Sequence, residues 1–152
     1  TRRIIRALEV YYQTGRRISE TTKERKQTFK LVAAGLYLER EDLYRRIDRR
    51  VDIMLQKGLV EEVKQLLNRG IRPDSISMQA LGYKEIAGYL SGEYDYDHCV
   101  ELLKRNTRRF AKRQMTWFKR DKNIKWFNVS DYKRKEALVE TIACYFQTSL
   151  QI

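Results

Sequence analysis

The chain has 152 residues, 42% hydrophobic and 34% charged, with 32 Lys and Arg against 20 Asp and Glu for a net charge of +12. That length suits one compact domain with a modest core, and no apolar run approaches the ~20 residues that cross a bilayer. The single His, His98, and the widely spaced Cys99 and Cys144 give little support to a His-based zinc site, a redox pair or a Ser-His-Asp triad, while the charge favours an acidic partner.

Residues 2–14 pattern as a helix with Ile4, Ile5, Leu8, Tyr11 and Tyr12 inward and Gly15 as its stop. A chain that opens on Thr1 within a helical pattern reads as starting inside an element of something longer. Thr14 to Lys26 is polar and reads as a connector. Phe29 to Leu38 suits a short buried strand, although Ala33, Ala34 and Gly35 keep a helix open. Helices are predicted over 40–57, broken at Gly58, and over 59–68, closed at Gly70. The IRPDS turn offers Asp74 and Ser75 as caps. A helix over 77–90, a turn at SGEYD, a long basic helix over about 96–120, a strand over 124–130 and an amphipathic helix over 132–149 complete the chain. The fold class is helix-rich α/β, with two strands, too few to build a complete parallel sheet alone. Both cysteines read as reduced, buried thiols, and the lack of a signal-peptide pattern suggests a cytoplasmic protein.

Lys104 to Lys125 carries ten Lys or Arg against one acid, Asp121, with Phe110, Trp117 and Phe118 interleaved. Basic side chains gain affinity by displacing counterions from phosphates, and aromatic faces accept unstacked bases, so RNA or single-stranded DNA fits better than a membrane surface. At 100° per residue, Leu103, Thr107, Phe110, Ala111, Gln114, Met115, Trp117 and Phe118 share one side. Arg105, Arg108, Lys112, Thr116 and Lys119 fill the other. Gln114 and Thr107 are polar groups on the packing side and need partners in the protein or a ligand.

On the 40–57 helix, Leu43, Ile47, Val51, Met54 and Leu55 form an apolar stripe; Arg50 falls inside it and Arg46 at its edge. An inward arginine needs an anion. Either it forms a buried ion pair with Glu61 or Glu62, or snorkels to solvent, or it binds a phosphate or pyrophosphate with its bidentate fork. In Gln79-Ala80-Leu81-Gly82-Tyr83-Lys84, a glycine inside a helical pattern marks a close approach by a backbone, a ligand or a nucleic acid. A packing glycine beside a core tyrosine explains it equally well.

Taken together, RRIIRALEVYYQTGR, RIDRRVDIMLQKGLVEEV, QALGYKEIAGYLSGEY and RNTRRFAKRQMTWFKRD resemble, in order and spacing, the C-terminal half of the tRNA dimethylallyltransferases, or tRNA isopentenyltransferases. The resemblance covers nearly the whole chain. It implies a P-loop-type α/β fold resembling the nucleoside-triphosphate hydrolases, with residues 1–27 as the returning tail of a helical tRNA-binding insertion and 28–152 as the C-terminal part of the catalytic core. It implies transfer of a dimethylallyl group from dimethylallyl diphosphate to N6 of the adenosine 3′ of the anticodon, assisted by Mg²⁺ whose ligands lie outside this chain. The implied partner is a tRNA anticodon stem-loop, with no DNA or membrane partner, and the full-length protein would be a monomer.

Residue by residue, the resemblance makes Arg50 the catalytic-site arginine. It makes Arg3, Gln79, Ala80, Leu81, Gly82, Tyr83 and Lys84 tRNA contacts. It does the same for Lys112, Arg113, Gln114, Met115, Thr116, Trp117, Phe118 and Lys119; the basic patterning itself adds Arg46, Arg105 and Arg109 as supporting basic contacts. No G-x-x-x-x-G-K-[ST] occurs in the sequence. The family's phosphate-cradling loop, its proton-accepting Asp and the accompanying Thr are therefore not among these residues, and the chain by itself is expected to be inactive. A competing reading takes 58–90 as a helix-turn-helix with the basic helix on duplex DNA. Ile76, Met78 and Leu81, which look like packing residues where a DNA reader would expose contacts, weigh against it. A structural or ribosome-associated basic protein is the third reading.

Overall fold

The computed structural model describes residues 2–23 and 29–151. Residues 1–32 and 33–152 form two compact units. In the first, α1 (Arg2–Thr14) ends where Gly15 adopts φ +69°, and α2 (Ile18–Lys23) follows. The polar stretch expected as a connector therefore contains a helical turn and a half, entered with the Glu20 carboxylate accepting from the Arg17 amide at 3.1 Å; residues 24–26 lie outside the described residues. The stripe expected to face inward does not. Ile4, Ile5, Leu8, Tyr11 and Tyr12 are all exposed, because a six-residue α2 offers too little surface to cover a thirteen-residue helix.

The second unit pairs β1 (Ala33–Tyr37) with β2 (Ile124–Asn128) in parallel, in register from Ala33 opposite Ile124 to Tyr37 opposite Asn128. Two parallel strands require a crossover, and here it is the whole helical array: α3 (Arg40–Gln56), α4 (Leu59–Asn68), α5 (Tyr83–Leu90) and α6 (Tyr96–Phe118). A closing helix, α7 (Lys135–Leu150), follows β2. Gly35 is required by the pairing, since a Cβ there would sit 2.6 Å from Trp126 Cε3. β1 is shorter than the expected 29–38 strand and only half-buried; Leu36, Phe29 and Leu31 are exposed. A two-stranded sheet leaves apolar strand residues without neighbours on one side.

The main core cluster lies among the helices, where Val51, Leu59, Val63, Met78, Ile86, Cys99 and Leu103 pack together, while Phe127 of β2 and Leu138 of α7 are buried outside it. Ridges of α3 and α6 are also tied by charge, with Arg108 Nη1 2.7 Å from Asp48 Oδ1 and Lys104 Nζ 2.6 Å from Asp52 Oδ1. Arg108, expected on the free side of the basic helix, is thus half-buried against α3.

Several other expectations change. The 77–90 helix is split into a 3-10 turn (Ser77–Gln79), an extended Ala80 and α5, which starts only after Gly82 at φ +101°. Gly82 is therefore a helix-entry glycine in left-handed backbone, not one within a helix. Asp74 does not cap a helix but pairs with Arg72, and Ser75 meets the Ser77 hydroxyl at 3.2 Å. Met78 is fully buried as expected, whereas Ile76 at 95% and Leu81 at 39% exposure are surface residues. Cys99 is buried but Cys144 is exposed on α7.

Candidate functional site

Helix α3 carries two chemically opposite flanks. Asp48 and Asp52, four residues apart, turn to α6 and are neutralised there. Arg46, Arg50 and Lys57 lie on another stripe at helical spacing and, with Arg49, line a cavity of about 850 Å³. Its floor is apolar: Leu36, Leu38, Ile47, Met54 and Met115. Gln114 of α6 lines it as well. Among the described residues, four cations and no carboxylate line this space, and no ion pair to Arg46, Arg49 or Arg50 exists. Such a concavity selects an anion carrying an apolar portion, because clustered like charges over a low-dielectric floor focus the potential.

The inward arginine is thus resolved. Arg50 is exposed, and among the described residues it pairs with neither Glu61 nor Glu62; Glu62 instead accepts from the Tyr83 hydroxyl. The helical-wheel angle was right about the side of α3, but that side opens onto a cavity.

A second groove of about 470 Å³ shares Tyr37, Leu38, Leu43, Ala111 and Met115 with the first and adds Glu39, Arg40, Tyr44, Lys112 and Lys119, three cations against one carboxylate. Lys119 Nζ lies 5.9 Å from the Tyr37 ring centroid, and the Arg40 and Arg108 guanidinium carbons lie 5.3 and 5.8 Å from that of Tyr44. These cation-on-ring contacts keep basic heads beside aromatic faces, an arrangement that suits a nucleic-acid strand.

The expected packing side of α6 divides. Leu103 is buried, and Thr107, Ala111 and Met115 are partly buried, with the Thr107 hydroxyl donating back to the Leu103 carbonyl at 2.7 Å. Phe110, Gln114, Trp117 and Phe118 are exposed. Trp117 and Phe118 stack edge to face at 4.8 Å, and Arg113 lies 5.8 Å from the Phe110 ring centroid. Towards its C-terminal end the helix outruns the core, so the same periodicity that buries Leu103 leaves the later rings in solvent. Arg105, Arg109 and Thr116 are likewise exposed, the last bonding to the Lys112 carbonyl at 2.9 Å.

The Gln79–Lys84 segment lines neither cavity. It is held from within: the Gln79 amide donates to the Pro73 carbonyl at 2.9 Å, the Gly82 amide donates to Glu85 Oε2 at 2.9 Å, and the Tyr83 hydroxyl donates to Glu62. That last bond raises the Tyr83 pKa above its usual value, with burial and the Glu62 charge adding to it. Ala80, Leu81 and Lys84 face solvent. Arg3 is exposed on α1, in the other unit. Sequence reasoning missed Arg49, Lys57, Tyr37, Arg40 and Tyr44. Lys57 stands seven residues from Arg50 on the same stripe and was therefore available to it.

Residues 1–121 match the IPP transferase family. The chain belongs to that family. It is 54% identical over 145 residues to the tRNA dimethylallyltransferase of Pelotomaculum thermopropionicum, covering 94% of this chain and 46% of that protein. It is 46% identical over 153 residues to the tRNA dimethylallyltransferase of Clostridioides difficile, covering 99% and 49%. The full-length tRNA isopentenylpyrophosphate transferase of Bacillus halodurans superposes with a TM-score of 0.79 at 42% identity, over 99% of this chain and 45% of that one. The chain spans about half the length of the relatives it matches. Membership disfavours the helix-turn-helix reading. Among the described residues no helix is long and apolar enough to cross a membrane.

Proposed function

We propose that this chain forms the C-terminal half of a tRNA dimethylallyltransferase with a P-loop-type fold, and that it supplies the diphosphate-facing cations and much of the tRNA surface. The cavity carries this reading: Arg46, Arg49, Arg50 and Lys57 ring an apolar floor with no carboxylate among the described lining residues, a match in chemistry to a diphosphate joined to a five-carbon hydrocarbon. In the reaction the adenine leaves its stack, its N6 amine attacks the allylic carbon as the carbon–oxygen bond to diphosphate breaks, and the amine proton passes to a base that the resemblance places outside these residues. Arg50 acts on the charge that grows on the departing diphosphate, and its neighbours raise the local potential. Gln114, on the cavity wall, offers an amide to the flipped base. The exposed faces of Lys112, Arg113, Thr116, Trp117, Phe118 and Lys119 follow the RNA, Arg46, Arg105 and Arg109 add phosphate contacts, and Arg3 and Gln79–Lys84 add outlying ones.

Magnesium is expected to serve the reaction, but the described residues contain no group of three or more His, Cys, Asp or Glu placed to hold a metal.

The test is fluorescence anisotropy of a labelled anticodon stem-loop carrying adenosine 3′ of the anticodon, against a length-matched DNA duplex, at two salt concentrations. Stem-loop preference that survives the higher salt is the expected result. Equal, steeply salt-dependent binding to both would reduce α6 to a nonspecific polyanion face and refute the assignment.

A further inference from the structure

Glu85 is the one buried charged side chain among the described residues, at 5% exposure, and no cation among them pairs with it. Burying a carboxylate without a counter-ion is costly, and in a chain with twelve surplus positive charges a basic partner would have been easy to find. Glu85 is held by neutral donors instead. Its Oε2 accepts from the Gly82 amide at 2.9 Å and its Oε1 accepts from Asn106 Nδ2 at 2.8 Å. It stands in the first turn of α5, where the helix N-terminus favours negative charge. Its own carbonyl is fastened as well, accepting from the Tyr94 hydroxyl at 2.8 Å and the Cys99 thiol at 3.4 Å.

What this carboxylate joins is specific. Gly82 lies within the Gln79–Lys84 segment, at the entry to α5, and is buried against Leu59 and Leu103 in positive-φ backbone. Asn106 lies on α6, six residues before Lys112. A single side chain thus bridges the Gln79–Lys84 segment, at Gly82, to the shaft of the basic helix α6. Among the described residues it is the hydrogen-bonded link between the two, since Gln79 and Tyr83 bond to Pro73 and to α4.

We propose that Glu85 and Asn106 are positioning residues that hold the Gln79–Lys84 segment at a set distance from the Lys112–Lys119 face, so that both meet one folded RNA together. This rests on the proposed tRNA function. The bridge selects an RNA of fixed shape, because a rigid spacing between two contact segments rewards only a ligand whose phosphates match it. Glu85 touches no substrate; it acts through Gly82 and α6.

The test is a reciprocal exchange in the 152-residue chain. Asn106→Asp sets two carboxylates against each other. Glu85→Gln combined with Asn106→Asp restores both bonds, the 85–106 bond in reversed polarity and the Gly82 bond unchanged, since the amide introduced at position 85 donates to the carboxylate introduced at position 106 while its oxygen accepts from Gly82. Asn106→Ala, which only removes the donor, is the milder single variant should the acidic one fail to fold. Stem-loop and DNA-duplex affinities are measured by anisotropy at a temperature where circular dichroism shows each protein folded. The single variants are expected to bind the stem-loop about tenfold more weakly, with duplex affinity little changed, and the exchanged pair to recover most of the loss. A folded single variant with unaltered stem-loop affinity, or an exchanged pair that recovers stability without recovering affinity, would overturn the positioning role and leave the functional proposal standing. A parent chain with no stem-loop preference overturns both.

Discussion

Replacing Arg50 by Lys or Ala separates a ligand-binding role from a structural one. Arg50 is exposed, lacks an ion pair among the described residues and stands beside Arg46 and Arg49. Its removal from the free protein should therefore change stability by less than ~0.5 kcal/mol, the usual range for a surface site without packing or capping duties. Relief of repulsion from its neighbours acts in the stabilising direction. With a diphosphate bound, the guanidinium makes charge-assisted hydrogen bonds worth roughly 1.5–3 kcal/mol each. The cavity is open to water and three other cations remain, so the lower figure applies, and affinity should fall about tenfold for Arg50→Ala. Arg50→Lys keeps the charge but loses the planar fork and should fall between parent and Ala. Calorimetric titration with inorganic pyrophosphate, paired with a thermal melt of each variant, measures both quantities. A large drop in melting temperature with unchanged pyrophosphate affinity would refute the reasoning, because Arg50 would then be a structural residue.

Gly88→Ala should destabilise the helical array by about 1–2 kcal/mol despite the better helix propensity of alanine, because the new Cβ falls 2.7 Å from Tyr94 Cζ and the ring must release the Glu85 carbonyl; an unchanged or raised denaturant midpoint would contradict this. Thiol labelling at mildly alkaline pH should modify Cys144 quickly and Cys99 only after unfolding, since burial, with the Glu85 charge adding to it, raises the Cys99 pKa from 9.0 to about 11. For the same reason stability should decline as pH rises from about 9 towards about 11, where the unfolded chain releases the Cys99 proton and the folded chain still holds it. Tyr94, raised by burial first and by nearby Cys99, Glu93 and Glu85, acts in the same direction above pH 10. Denaturation curves of a Cys99→Ala variant should lose the part of this slope that begins near pH 9 and keep the Tyr94 part; an unchanged slope would contradict the assignment to the thiol.

The helical array was legible because its signals are local. The α3 and α4 boundaries follow from hydrophobic period and from Gly58 and Gly70, whose positive φ ends or enters a helix wherever the chain places them. The long α6 and the two strands follow from the same patterning. Where the reading failed, the deciding fact was nonlocal. Periodicity orders Leu103, Phe110 and Trp117 alike, but only the end of the core part-way along α6 decides which of them packs. The 77–90 stretch carries a helical pattern, yet the Gly82 amide bonded to Glu85 and the extended Ala80 divide it.

By itself, the sequence determined the helix-rich α/β composition, the basic character of α6, the family, and the side of α3 on which Arg50 stands. Each of these depends on residue type and spacing within a few turns of chain. Tertiary structure alone decided that Asp48 and Asp52 spend themselves on Arg108 and Lys104, which leaves Arg46, Arg49, Arg50 and Lys57 facing one cavity whose described lining holds no acid. It also decided that a buried Glu85 ties Gly82 to Asn106 across twenty-four residues of sequence. Charge neutralisation and hydrogen bonding act through space, and no pattern along one helix states which residues another helix will bring within hydrogen-bonding reach.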